Sequence, residues 1–378
     1  MARLLFFSSY YYPHVSGYVT YPQQLLSELA GTHDIRVLTF KNSTSLDSIE
    51  WFNGHSVVRM GYMFRVSKGF ISLSSIKHFY HQARCADAIM INLPNVEGLP
   101  LALLARFMGK PTICLFHCDV YLGKGVWSTI LGRTIRLAVK WQLMAATKLV
   151  TTTEDYVKAL PYEHLFANKT SYVVSCISSP VVNPKYLQAL IREKQETLYI
   201  GFAGRVSREK GLEYLITSLD ILRRKGIEVV LLIAGPYGDQ VVGEEQYNNL
   251  ISDLLDSTSL PHEFLGSLAK PELGAFYAAI DVLALPSVNR TEAFGIVQIE
   301  AMMADTPVVT TDLPGVRIPV SESGFGEIVE PGNPESLASA IERLLGSDAA
   351  LDKERLARYL AQFDVRKIAA RFEEILFQ

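Results

Sequence analysis

Apolar runs of strand length alternate with helical patterns from the start of the chain. Arg3–Ser9 is followed by Gln23–Ala30 and Ile35–Phe40, and later Ala88–Leu93 by Pro100–Phe107 and Thr112–Phe116. That alternation predicts parallel βαβ units. After Lys148–Thr153 the pattern loosens through Val173–Pro184, where Ser178, Ser179, Pro180 and the Asn183-Pro184 pair are turn signals. A second series then runs through Leu198–Gly204, a helix over Gly211–Arg224, Glu228–Ala234, Tyr247–Leu255, Val282–Leu285 and Pro307–Thr310. It predicts another doubly wound sheet. The expected division is an amino-terminal domain over residues 1–178, a carboxy-terminal domain over residues 179–362, and a last segment, 363–378. In that segment Val365–Phe377 reads as an amphipathic helix with Ile368, Ala369, Phe372, Ile375 and Leu376 on one side. Such a stripe needs a surface, and the amino-terminal domain is the one expected to supply it.

Composition agrees with two globular cores. The chain has 378 residues, 49% apolar and 20% charged, more than one ordinary core accommodates. The longest apolar runs, such as Val229–Ala234, are strand-length and fall well short of the ~18–20 residues that cross a bilayer. Leu4–Phe7 follows a single Arg and precedes no small-residue cleavage site, so it reads as a buried first strand rather than a signal peptide. Four cysteines, Cys85, Cys114, Cys118 and Cys176, form no Cys-x-x-Cys pair and no disulfide framework. A reducing cytoplasm is expected, with the protein soluble or peripheral on the cytoplasmic face of a membrane. The final Leu376-Phe377-Gln378 resembles the remnant that a viral 3C-type protease leaves after tag removal.

Charge is divided unevenly. The net charge is -3, but residues 1–190 hold 18 Lys and Arg against 10 Asp and Glu, and residues 191–378 hold 18 against 29. Over residues 51–148 the imbalance reaches 12 basic against 3 acidic, a field that draws anionic surfaces. Gly61–Arg84 carries Arg65, Lys68, Lys77 and Arg84 among five aromatic residues and no acid. Val126–Lys148 reads as one long helix in which Trp127, Ile130, Leu131, Ile135, Leu137, Ala138 and Trp141 interleave with Arg133, Arg136, Lys140 and Lys148. A basic amphipathic helix of this kind suits a bilayer interface; a core-facing stripe with a solvated polar side is the alternative, and the depletion of acid across both stretches favours the membrane. Nucleic acid is the other polyanion, but no RRM, KH or zinc-finger signature is present.

In open α/β sheets ligands bind beyond the carboxyl ends of the strands. After Leu198–Gly204 comes Gly204-Arg205-Val206-Ser207-Arg208-Glu209-Lys210-Gly211. A guanidinium and an ammonium five residues apart can clamp two phosphates; the bland alternative is two solvated charges. The segment Pro286–Ala301 places Glu292 and Glu300 eight residues apart around a strand-to-helix turn. A helix starting near Phe294 would aim its free N–H groups at the loop, which suits a diphosphate. Glu300 sits among Ile296, Val297, Ile299, Met302 and Met303, where an unpaired carboxylate is costly, so a partner is required. A ribose diol or an internal Arg would serve.

The Gly-Arg-x-x-x-x-Lys-Gly loop, the Glu-x-Phe-Gly-x-x-x-x-Glu-Ala segment and Thr306-Pro307-Val308-Val309 together resemble the retaining glycosyltransferases of family 4. The resemblance spans nearly the whole chain and implies the GT-B fold: two Rossmann-like α/β domains facing each other across a cleft. It implies that Arg205 and Lys210 hold the donor diphosphate and that backbone at Phe294, Gly295 and Ile296 touches phosphate and sugar. It further implies that Glu300 binds the ribose and that Glu292 serves the sugar or the reacting face. Tyr12-Pro13-His14-Val15-Ser16-Gly17 is similar to the family's Pro-x-x-Gly-Gly turn, with Ser16 in place of the first glycine, which makes Gly17 the donor contact. His117, at the end of Thr112–Phe116, is the catalytic candidate beside the transferred sugar, and Asp119 the acceptor-side alternative. A lone strand-end His is otherwise more often structural.

The function so implied is transfer of a hexose, mannose first, from a nucleotide diphosphate sugar to a glycan or lipid-linked acceptor with retention. GDP-mannose is the first donor and UDP-hexose the second. No Asp-x-Asp pair occurs, and no metal and no cofactor are expected. The alternatives are a UDP-hexose transferase acting on a soluble acceptor, and a catalytically impaired nucleotide-sugar-binding protein.

Overall fold

The structure is a computed structural model that describes residues 1–14, 16–43, 45–66, 69–120, 126–192, 197–241, 243–346 and 351–377. Val15, Lys68, the side chain of Trp127, and Gln378 lie outside it. Two compact units emerge, unit 1 from Met1–Ile177 with Gln362–Gln378 and unit 2 from Ser178–Ala361.

Unit 1 runs β1 (Arg3–Phe7), α1 (Gly17–Leu29), β2 (Asp34–Phe40), β3 (Ile49–Phe52), β4 (His55–Met60), β5 (Phe64–Val66), β6 (Gly69–Ile71), α2 (Ser74–Cys85), β7 (Ala88–Leu93), α3 (Gly98–Phe107), β8 (Thr112–Phe116), α4 (Val126–Ala145), β9 (Lys148–Thr151), α5 (Glu154–Lys158) and β10 (Thr170–Tyr172). Eight strands form one sheet in the order β10-β9-β8-β7-β1-β2-β4-β3. All are parallel except the edge strand β3, which runs antiparallel to β4; β5 and β6 make a separate hairpin. The chain winds outward from β1 to one edge, returns, and winds outward from β7 to the other, so the switch of direction falls between β1 and β7.

Two sequence expectations need correction here. The helix expected over Gln23–Ala30 begins at Gly17, and Pro22 lies inside it. Proline there removes the hydrogen bond to the carbonyl four residues back. That carbonyl, on Tyr18, finds another donor in Asn92. The long helix expected over Val126–Lys148 ends at Ala145, and Lys148 belongs to β9. Its Nζ donates to the carbonyl of Ile375 at 2.8 Å, so its charge serves a helix end.

Unit 2 runs α6 (Pro184–Ile191), β11 (Leu198–Ala203), α7 (Leu212–Arg224), β12 (Val229–Ala234), α8 (Glu245–Thr258), β13 (His262–Gly266), α9 (Lys270–Ala279), β14 (Val282–Leu285), α10 (Ile296–Met303), β15 (Val308–Thr311), α11 (Ile318–Ser323), β16 (Gly326–Val329), α12 (Pro334–Leu345) and α13 (Lys353–Leu360). Its six strands are ordered β13-β12-β11-β14-β15-β16 and pair in parallel throughout. The switch point lies between β11 and β14. The last helix, α14 (Val365–Phe377), belongs to unit 1, where Ile368, Phe372, Ile375 and Leu376 join Val19, Leu25, Leu26 and Leu29 of α1 in one core.

Candidate functional site

At the switch point of unit 2, the loops after β11 and β14 are held against each other. The amide of Val288 donates to Glu209 O at 3.0 Å. Gly211 has φ +67°, and a Cβ there would run into the carbonyl oxygen of Pro286, so this close approach needs glycine on both counts. In the second loop Asn289 makes a side-chain turn, its Oδ1 accepting from the Thr291 amide at 3.0 Å. The result is an ion pair between Lys210 Nζ and Glu292, with side chains only 17% and 15% exposed. Arg205 pairs with Glu209 at 3.0 Å and is 45% exposed.

The helix expected to start near Phe294 begins two residues later, at Ile296. Gly295 precedes it at φ +75°, pressed against Leu285 and Gln298, and a left-handed turn there ends the loop before the helix can start. The Phe294 side chain is buried. Gln298, fully buried, donates from Nε2 to Phe294 O at 2.8 Å and to Val316 O at 2.9 Å, locking the approach to α10. Within the protein the partner of Glu300 is a tyrosine: the Tyr277 hydroxyl donates to its Oε2 at 2.7 Å. Burial raises the Glu300 carboxyl, opposed by that bond and by Lys270.

In unit 1 the corresponding edge carries a neutral network. His117 Nε2 lies 2.6 Å from Asn92 Oδ1. Asn92 Nδ2 donates to Ser8 Oγ at 3.1 Å and to Tyr18 O at 3.0 Å. Because Tyr18 O can only accept, the Asn92 amide is oriented with Oδ1 toward the ring, so His117 Nε2 carries the proton and Nδ1 is the lone-pair nitrogen. Burial lowers the imidazole to about 4, so it is neutral at physiological pH. The Tyr18 ring, 5.3 Å from the imidazole centroid, and the Tyr21 ring, 5.8 Å away, frame it. Gly17 opens α1, whose Val19 and Thr20 amides bond Ser16 O. Asp119 is tied into its own loop: its amide donates to the Tyr156 hydroxyl at 2.6 Å and its Oδ1 accepts from the Val120 amide at 2.8 Å.

Of the expected site residues, Lys210 and Glu292 are joined to each other; Arg205 pairs with Glu209 in the same loop, Glu300 is held by Tyr277, and His117 lies against Tyr18, the neighbour of Gly17 in the chain. Sequence reasoning missed Asn92, Tyr18, Tyr277 and Gln298. Two of them left a signal: Pro22 inside a helix frees the carbonyl that Asn92 uses, and Gln298 is, with Glu300, one of two polar residues in an apolar helix. Among the described residues, no group of three or more His, Cys, Asp and Glu is arranged to hold a metal ion. No described helix is long and apolar enough to cross a membrane.

Comparison with known proteins places this arrangement in a class. Residues 16–173 match the Glycosyl transferase 4-like domain and residues 188–362 the Glycosyl transferases group 1 family. The chain therefore carries a glycosyl transferase 4-like domain followed by a glycosyl transferases group 1 domain. Its fold is that of GT-B glycosyltransferases. The Anabaena protein HepE, solved with UDP and glucose, superposes with a TM-score of 0.77 at 19% identity over 99% of both chains. Sucrose-phosphate synthase from Thermosynechococcus elongatus does so with a TM-score of 0.79 at 19% identity, over 99% of this chain and 98% of that one. In sequence, D-inositol 3-phosphate glycosyltransferase of Corynebacterium urealyticum is 33% identical over 44% of this chain and 39% of its own length. The chain thus spans about two fifths of that relative. The 2-deoxystreptamine glucosyltransferase of Streptomyces kanamyceticus is 28% identical over 77% of this chain and 78% of its own length.

Proposed function

We propose that this protein transfers a hexose from a nucleotide diphosphate sugar to a glycan or lipid-linked acceptor, with retention at the anomeric carbon, from the cytoplasmic side. The observation that carries the reading is the Lys210–Glu292 ion pair at the switch point of unit 2, with Arg205 and the amino-terminal amides of α10 in the adjoining loops. An ammonium has three donors, so Lys210 can bind a phosphate oxygen while keeping Glu292. The departing diphosphate then meets cationic side chains and helix amides, and Glu300 receives the ribose. Turnover is expected to survive EDTA, and loss restored only by Mg or Mn would overturn that part.

In unit 1 the neutral His117, held by Asn92, is suited to a sugar hydroxyl. A hydroxyl can donate to Nδ1, an interaction that a protonated ring would forbid. GDP-mannose follows from the resemblance of Thr291–Glu300, and UDP-glucose from HepE, whose structure holds UDP and glucose. A thermal-shift screen across UDP, GDP, ADP and dTDP sugars tests the function and ranks the donors, because a ligand at a hundred times its dissociation constant adds about 2.7 kcal/mol. NMR of the product reports the anomeric outcome. No shift with any nucleotide sugar would overturn the reading. A shift without transfer would favour the impaired binding protein, for which Ser16 in the glycine turn is the motive.

A further inference from the structure

Three consecutive helices of unit 1, α2, α3 and α4, turn apolar side chains outward. On α3, Leu103 and Phe107 are exposed one turn apart, Phe107 at 91%. On α4, Ile130, Leu137, Trp141 and Met144 recur at helical spacing and are all exposed, opposite the buried stripe of Ala138, Val139, Gln142 and Leu143. On α2, Ile76 and Tyr80 are exposed while Phe79 and Ala83 face inward. Helix α3 packs against both α2 and α4, so the three stripes lie on adjoining helices.

An ordinary surface helix buries its apolar stripe and offers water its polar side. Here both sides of α4 are apolar, and the outer side is flanked by Arg133, Arg136 and Lys140. The three helices together carry Lys77, Arg84, Arg106, Arg133, Arg136 and Lys140 and no Asp or Glu at all. In unit 2 exposed large apolar residues occur as well, Leu250 and Ile328 among them, but that half of the sequence is acidic.

We infer that the α2-α3-α4 face is a docking surface for an anionic lipid bilayer, with Phe107 and Trp141 entering the interface and the six cations meeting headgroups. Apolar anchors interleaved with cations and an absence of acid are the two requirements of interfacial binding. A protein partner needs an acidic face of matching shape; a lipid surface needs only charge and depth. The inference extends the lipid-linked acceptor of the proposed function, yet its test reads no catalysis, so either can fail alone.

The test is co-sedimentation of the full chain with vesicles of phosphatidylglycerol and phosphatidylcholine, against phosphatidylcholine alone. Binding is expected to anionic vesicles only and to fall as salt shortens the Debye length. Arg133→Glu/Arg136→Glu should lower the bound fraction at least fivefold at low salt, and Phe107→Ser should lower it severalfold at unchanged charge. Leu250→Ser in unit 2 should leave it unchanged, and all variants should melt at the wild-type temperature. Absence of binding to anionic vesicles at low salt overturns the inference. So does a dimer in sedimentation velocity that Trp141→Ser dissociates, since the face would then cover a second copy.

Discussion

Units 1 and 2 both wind outward from a central strand pair and both collect polar residues at the switch point, between β1 and β7 in one and between β11 and β14 in the other. The chemistry gathered there differs. Unit 2 brings together fixed charges, Lys210 with Glu292 and Arg205 with Glu209. Unit 1 links Ser8, Asn92, Tyr18 and His117 by neutral hydrogen bonds, and burial drives the imidazole away from its charged form. The crevice geometry is common to the fold, and the side chains decide whether it suits a diphosphate or a hydroxyl.

The change expected to separate the two sites most widely is Lys210→Ala. It leaves Glu292 without its ion-pair partner and, on the proposed function, takes a cation from the donor phosphate; losing one charge-assisted bond costs about 1.5–3 kcal/mol, or roughly tenfold to a hundredfold in kcat/KM for the donor. Nucleotide affinity should weaken in parallel. Wild-type kinetics would remove Lys210 from the site. Arg205→Ala, at a more exposed position, should cost less.

His117→Ala and Asn92→Ala should instead lower kcat, by up to about tenfold if one neutral hydrogen bond of ~0.5–1.5 kcal/mol is lost, while the dissociation constant for nucleotide stays unchanged. Nucleotide affinity that drops in either variant would break the division of labour between the units.

The buried histidines of unit 1 also predict a pH dependence of stability. Burial lowers His117 and His55 from 6.5 to about 4 each. Below pH 6.5 the unfolded chain takes up protons that the folded chain refuses, so the stability these groups contribute is full above that pH and lost as pH falls toward 4. Each group adds a slope of about 1.4 kcal/mol per pH unit within that window. Melting temperatures between pH 4 and 7 should show the fall, and His55→Gln and His117→Asn should each flatten it; an unchanged profile in both variants would remove these histidines as its cause.

The smallest effect is expected from Tyr277→Phe. It takes one hydrogen bond from Glu300 and should raise the donor KM by about twofold to fivefold, as loss of roughly one neutral bond would. An unchanged KM would detach Glu300 from donor binding.

The periodicity of the chain determined both parallel sheets, the break after Val173 and the amphipathic character of Val365–Phe377, because these depend on local spacing of apolar residues. The strand-end loops singled out Arg205, Lys210, Glu292 and Glu300 as candidates, and the family resemblance added Gly295. What only the tertiary structure decided were the pairings. Lys210 and Glu292 are 82 residues apart, and they meet because β11 and β14 are neighbours in the sheet, with Gly211 admitting the backbone of Pro286. His117 depends on Asn92 from the adjacent strand, and Asn92 on a carbonyl that Pro22 releases. For α4 the sequence pointed to an interfacial stripe but left a core-facing one open. Helical spacing shows that a helix has two faces, but only packing against α3 and the sheet settles which of them meets water.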